Sequence, residues 1–308
     1  MHFIDLHCDT LYKSVTNNVS LDDASMELKI NNSDEYNRLQ CFAIWLPDEL
    51  TSDEAEKLFF EASRKLSIEC ERCNIKLITD LKNIKADFYN NKNSAFLTVE
   101  NGSALNGKID NVRIFSELGV KMLTLTWNGV NEIGDGAGVD NPKGVTEFGK
   151  NVISEMEKHN IIIDISHASD KLFYDVAEYA TKPFVASHSN ARSVTPHKRN
   201  LTDEQIKIII ERKGLFGLNF HNKFLSENYE QSSMFDILKH TEHFLSLGGE
   251  NSISFGTDFD GCNLPNDINS SQSIDNIYEM FLKHNYKESL IKKIFYENAL
   301  IFFENFDN

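Results

Sequence analysis

The sequence predicts a (β/α)8 (TIM) barrel, a closed ring of parallel strands wrapped by helices, and three observations carry that reading. Eight short apolar runs fall near residues 2–6, 40–46, 94–99, 121–126, 161–165, 183–187, 215–219 and 252–256, with helical stretches between most of them. Strands alternating with helices make an α/β layer architecture. Runs such as Ile161-Ile-Ile-Asp-Ile165 and Leu215-Phe-Gly-Leu-Asn219 are nearly continuous in apolar character, as parallel strands covered on both faces require. Finally, polar residues stand just past the ends of five runs: His7 and Asp9, Glu100, His167, His188 and Asp258. A (β/α)8 barrel collects such strand-end residues around one mouth. An open doubly wound sheet is the rival, but no G-x-G-x-x-G follows the first run, where that fold would seat a nucleotide phosphate.

Taken in order, the first strand, His2-Phe-Ile-Asp-Leu6, runs into Leu6-His7-Cys8-Asp9. Residues i and i+2 of a strand share a side, so His7 and Asp9 can face one ion while Cys8 turns away into the wall. Residues 10–39 form a long excursion before the strand at 40–46. A helix-like stretch, Glu54–Cys73, ends in Cys70-Glu-Arg-Cys73; with no second pair to complete a zinc site, these read as ordinary thiols. Glu100 follows the strand at 94–99, and a second excursion, 127–146, follows the strand at 121–126. Both excursions are expected to overhang the active site. Thr146 can cap a helix over Glu147–His159 that stops at Asn160, and Ser169 can cap Asp170–Ala180 ahead of Pro183,. Thr202-Asp-Glu-Gln205 fits a capping box, with Ile206, Ile209 and Ile210 on one face and Gly214 past the end,.

The chain has 308 residues, 41% hydrophobic and 25% charged, ordinary for a soluble globular protein, and reads as one domain over 1–308. Its 31 basic and 47 acidic residues give a net charge of −16, which argues against a nucleic-acid or anionic membrane partner. No signal-peptide pattern opens the chain, and no apolar run reaches the roughly 20 residues of a membrane span. A cytoplasmic location is the expectation. Five cysteines, an odd number in a chain of this size, argue against a disulfide framework.

A lone His-x-Asp pair arises often by chance, and a lone strand-end histidine is more often a hydrogen-bonded structural residue than a ligand. Five such residues in strand-end order change that balance, because imidazoles and carboxylates are sound ligands for a divalent metal. The set reads as a metallohydrolase. Asp164, alternating with Ile163 and Ile165, is assigned a structural role. His240 and His243 share a helical face and read as packing or solvated positions; His2, His159, His197 and His284 have no better claim.

The segments Ile4-Asp-Leu-His-Cys-Asp9, Val99-Glu-Asn-Gly102, Leu123-Thr-Leu-Thr126, Ile163-Asp-Ile-Ser-His-Ala-Ser169, Ser187-His-Ser-Asn-Ala-Arg-Ser193, Arg199-Asn200 and Phe255-Gly-Thr-Asp-Phe-Asp-Gly261 occur in one collinear order. In that order the chain resembles the membrane (renal) dipeptidase family, peptidase family M19, among the amidohydrolase-type metal-dependent barrels. The resemblance implies two zinc ions, the first on His7 and Asp9, the second on His167 and His188, with Glu100 bridging. It also implies that Asp258, rather than Asp260, is the general acid/base, Asp260 shaping the loop. Arg199 would hold the substrate carboxylate, as a planar guanidinium suits. The implied activity is hydrolysis, by metal-activated water, of short peptides with a free terminal carboxylate, with an L- or D-residue at that end. A homodimer is a family expectation only. The alternatives are a related amidohydrolase acting on an N-acyl amino acid or cyclic amide, and a non-enzymatic metal-binding barrel. One departure stands out: where well-studied members place a substrate-contacting histidine, this chain has Trp127, then Asn128. Either Trp127, Asn128 or His221 is expected to take over that contact, or the substrate range has moved.

Overall fold

The computed structural model describes residues 2–30 and 36–306. Nine parallel strands are present among them: β1 Phe3–Cys8, β2 Arg38–Trp45, β3 Lys76–Leu77, β4 Asn93–Glu100, β5 Val120–Thr124, β6 Ile162–Asp164, β7 Val185–Ala186, β8 Leu215–Leu218 and β9 Ile253–Phe255. β1 pairs with both β2 and β9, and β2 pairs with β4, so eight strands close into a ring. This is the (β/α)8 barrel that the apolar runs predict. The two-residue β3 lies outside the ring, beside Ser94 and Ala95 at the start of β4. It is too short to leave a sequence pattern.

Every residue of β1 and β5 is buried, which explains the continuous apolar runs: one face fills the barrel and the other meets the helices. Phe255 of β9 packs 5.2 Å from Phe3 of β1 and 4.8 Å from Phe295 of the surrounding layer. Each such fully buried ring contributes roughly 1.5–3 kcal/mol relative to exposure.

The helix starts follow their sequence signals. Thr146 Oγ accepts from Gly149 N ahead of Glu147–Lys158, and Ser169 accepts from Leu172 N ahead of Asp170–Tyr179. Capping boxes at Thr51 and Thr202 open Ser52–Arg72 and Asp203–Glu211. One helix end differs from expectation. Lys213, with φ +58°, takes the left-handed position after Asp203–Glu211. Gly214 instead serves close packing, since a Cβ there would stand 2.1 Å from Phe184 O.

Both excursions reach the carboxyl end of the barrel. Tyr12 from the first, and Trp127 and Asn128 from the second, line the cavity at its mouth. Residues 31–35 of the first excursion lie outside the described residues. Asp260 anchors this first excursion: its carboxylate accepts from Thr10 Oγ1 (2.6 Å), Lys13 Nζ (2.8 Å) and Glu27 N (2.8 Å). That is the loop-shaping role expected of it. No helix among the described residues is long and apolar enough to cross a membrane. All five cysteines are free, and Cys8 is buried in the wall.

Candidate metal centre

The strand ends bring His7, Asp9, Glu100, His167, His188 and Asp258 to one point. Glu100 sits at its centre and divides its oxygens. Oε1 lies 2.8 Å from His167 Nε2 and 3.6 Å from His188 Nε2, while Oε2 lies 3.6 Å from His7 Nε2. On that second side His7 Nε2 is 3.5 Å from Asp9 Oδ2 and 3.9 Å from Asp258 Oδ1.

The hydrogen bonds around the two histidines fix where their protons lie. Asn128 Oδ1 is 2.9 Å from His167 Nδ1, so that nitrogen carries the proton and Nε2 presents a lone pair. Ser187 Oγ gives its single proton to Asp164 Oδ2 (2.6 Å) and therefore accepts from His188 Nδ1 (2.7 Å). His188 Nε2 is then also a lone pair, and it lies 3.0 Å from His167 Nε2. Two lone pairs and a carboxylate oxygen converge, a repulsive arrangement that a divalent cation resolves. His7 Nε2 and Asp9 Oδ1, both buried, have no hydrogen-bond partner among the described residues, as atoms reserved for a metal would not. The donor set fits a metal.

The electrostatics agree. Burial drives His167 and His188 well below the usual imidazole range, with nearby Arg199 and His7 adding to the effect. Burial likewise pushes Glu100 well above the usual carboxylate range. For His7, burial opposes the charge, yet Glu100, Asp9 and Asp258 outweigh it and raise the imidazole to about 10. These buried carboxylates ionise together only with positive charge beside them, which a dication supplies. Asp258 is pushed up to about 7, first by burial and then by Asp9.

The backbone is specialised at these points. His167 (φ +66°), Asp258 (φ +64°) and Asp260 (φ +68°) all occupy the left-handed region, which an L-residue enters at a cost of roughly 1–2 kcal/mol. Strain of this kind gathers at functional sites.

The cavity measures about 270 Å³, and its lining includes Asp9, Glu100, His167 and Asp258 on the floor, with Tyr12, Trp45, Trp127, Asn128, His221 and Phe224 around them. Trp45 packs edge-on to Tyr12 (4.8 Å) and Trp127 (5.1 Å), forming an aromatic wall. Trp45 belongs to no motif in the sequence, yet it ends β2 directly beside Glu100 in the ladder. Asn128 lines the cavity, as expected of a substrate contact, but its amide oxygen is engaged by His167. His221 also lines the cavity, and its side chain accepts from Lys223 N. Arg199 stands behind the lining, its guanidinium carbon 5.5 Å from the Phe224 ring centre. It is buried; among the described residues its guanidinium makes only 3.4 Å hydrogen-bond contacts, to Ser189 Oγ and His188 O, and Nε has no partner. Asp164, read as structural, is fully buried and accepts from Thr124 Oγ1, Ser166 N, Ser187 N and Ser187 Oγ.

A parallel barrel with imidazoles and carboxylates converging at its mouth defines a metal-dependent hydrolase. The model of the membrane dipeptidase family (peptidase family M19) matches residues 1–308, and the chain belongs to that family. It is thus a metallopeptidase, a dipeptidase of a family that uses a divalent metal. An uncharacterized Klebsiella pneumoniae protein from the pqqA 5′ region is 30% identical over 216 residues, covering 67% of this chain and 80% of that protein. A solved M19 metallopeptidase, dipeptidase AC, superposes with a TM-score of 0.91 at 26% identity, covering 99% of this chain and 98% of that one. A Rhodobacter sphaeroides metallopeptidase, solved with a phosphinate mimic of the dipeptide L-Ala-D-Ala, gives a TM-score of 0.91 at 25% identity, with 99% of both chains covered.

Proposed function

We propose that this chain is a dinuclear zinc dipeptidase for peptides that end in a free carboxylate. The observation that carries the reading is the division of Glu100 between two ligand groups, His7 with Asp9 and His167 with His188. His7 with Asp9 would hold one cation and His167 with His188 another, and the charge of Glu100 between them would offset part of the repulsion. When bound, the ions would supply Lewis acidity toward the scissile carbonyl and acidify water.

The chain's own residues do the rest. Asn219 Nδ2 donates to Asp258 Oδ2 (3.1 Å), fixing the carboxylate and leaving Oδ1 to take the attacking water's proton and pass it to the departing amine. Burial raises the proton affinity of that carboxyl above that of an exposed aspartate, which suits a group that must accept a proton before it gives one up. Arg199, a buried cation whose guanidinium meets Ser189 Oγ, His188 O and the Phe224 ring among the described residues, would attract the peptide's terminal carboxylate at the wall formed by Phe224. The cavity, about 270 Å³, lies at the small end of ligand sites and favours very short peptides. The phosphinate mimic bound by the Rhodobacter relative supports a D-residue at the carboxyl end.

A second reading, hydrolysis of N-acyl amino acids, is favoured by Trp45 and Trp127, which would receive an apolar acyl group. Purified protein should contain close to two zinc ions per chain and cleave dipeptides, including L,D pairs, faster than N-acyl amino acids. Preference for the acyl substrates would reverse the choice. Absence of both metal and hydrolysis would remove the enzymatic reading.

A further inference from the structure

We propose that Asn128 is a positioning residue for the metal centre: by accepting from His167 Nδ1–H it fixes the ring plane and tautomer that turn Nε2 toward the cation. The inference rests on the metal reading above and concerns what holds one ligand in place.

The two histidines on the Oε1 side of Glu100 are oriented by different means. His188 is held from within the barrel wall, through Ser187 Oγ and the fully buried Asp164. His167 has no such relay. Its Nδ1 partner is the amide oxygen of Asn128, 39 positions away in sequence and 2.9 Å in space.

Asn128 is itself tightly placed. Its backbone oxygen accepts from Gly138 N (2.8 Å), and the neighbouring Gly129 O accepts from Gly136 N (2.7 Å). Ala137 N then donates to His167 O (2.7 Å), so the excursion grips the histidine by its backbone as well as its ring. This approach needs glycine twice. A Cβ at Gly136 would stand 2.0 Å from Trp127 O, and one at Gly138 would stand 2.5 Å from Asn128 O. The second excursion is therefore an outer support of the metal centre as well as a cavity wall. Trp127 supplies the wall; Asn128 supplies the support.

A residue that orients a metal-bound histidine typically changes metal affinity by about 10–100-fold when removed. The test is zinc binding to the full chain, stripped and then titrated with Zn²⁺ against a chromogenic chelator, for wild type, Asn128→Ala and the near-isosteric Asn128→Asp. Asn128→Ala should weaken one of two zinc ions by about 10–100-fold and leave the other unchanged. Asn128→Asp should bind at least as tightly as wild type, because a carboxylate is the stronger acceptor for Nδ1–H. The aspartate variant keeps the test open should the alanine variant fold poorly. Unchanged zinc affinity in Asn128→Ala with a raised KM would overturn the inference and make Asn128 a substrate contact. Wild-type protein that takes up no Zn²⁺ would overturn the metal reading itself, a separate result.

Discussion

Gly261 approaches Asp9 so closely that a Cβ on the glycine would stand 1.8 Å from Asp9 Oδ2. The same atom would be 2.8 Å from Asp258 Oδ1. Position 261 thus sets the space in which two carboxylates of the centre stand, with no functional group of its own. Gly261→Ala should displace Asp9, lowering the metal content on the His7 side and the activity with it. Metal analysis beside a thermal melt checks this: full zinc occupancy at unchanged activity would show that the loop yields instead.

Asp258 and Asp260 are separable by mutation because their surroundings differ. Asp258→Asn removes the proton acceptor and should reduce kcat by about 10²–10⁴-fold, with metal content near wild type. Asp260→Asn should chiefly loosen the anchor to Thr10, Lys13 and Glu27, lowering the melting temperature. If Asp260→Asn instead reproduces the large kcat loss while Asp258→Asn does not, the acid/base is misassigned.

Much of this arrangement is legible in the sequence, for identifiable reasons. The ring strands show because burial on both faces makes Ile161–Ile165 or Leu215–Leu218 nearly all apolar,. Thr146, Ser169 and Thr202 show because capping is a local interaction with a local residue code. Approach across space leaves no such trace. Gly214 follows a helix and looks like its terminator, yet its small size answers Phe184 O on a neighbouring segment. Asn128 reads as a substrate contact by its place after Trp127, and only folding brings His167 to its amide. Trp45 and Tyr12 carry no motif; the barrel's closure puts them on one wall.

His240, which joins the backbone at Ala191 to that at Leu225, should make the fold acid-sensitive. Its buried ring accepts from Ala191 N at Nδ1 (3.1 Å) and donates from Nε2 to Leu225 O (3.1 Å). Burial lowers its pKa to about 4. Because the folded value lies below the unfolded 6.5, the neutral ring's contribution is fully present above pH 6.5 and is lost as pH falls toward 4. The loss amounts to as much as roughly 3 kcal/mol over that window. Denaturant unfolding at pH 7 and pH 5 should show a steeper decline for wild type than for His240→Gln. Equal declines would assign the acid sensitivity elsewhere.

Arg199 offers the sharpest test of substrate class. It is buried; among the described residues its contacts to Ser189 Oγ and His188 O are long at 3.4 Å, and Nε is unpaired. Glu100, Asp258 and Asp164 favour the cation through space, but burial without a close ion pair remains costly unless a ligand completes its partners. If the peptide carboxylate does so, Arg199→Ala should lose about 10–150-fold in kcat/KM, the equivalent of a charge-assisted hydrogen bond of roughly 1.5–3 kcal/mol. Dipeptide amides lack the anion, so they should be poor substrates of the wild type and lose little more in the variant. The ratio of acid to amide kcat/KM, compared between wild type and Arg199→Ala, isolates this contact from any general damage to the loop. A collapse of that ratio toward one supports recognition of the free carboxylate. Equal losses on both substrates would mean that Arg199 braces Phe224 and His188 instead. The claim to peptides with a free carboxyl end would then fall, and hydrolysis of other amides against the Trp45–Trp127 wall would become the better account.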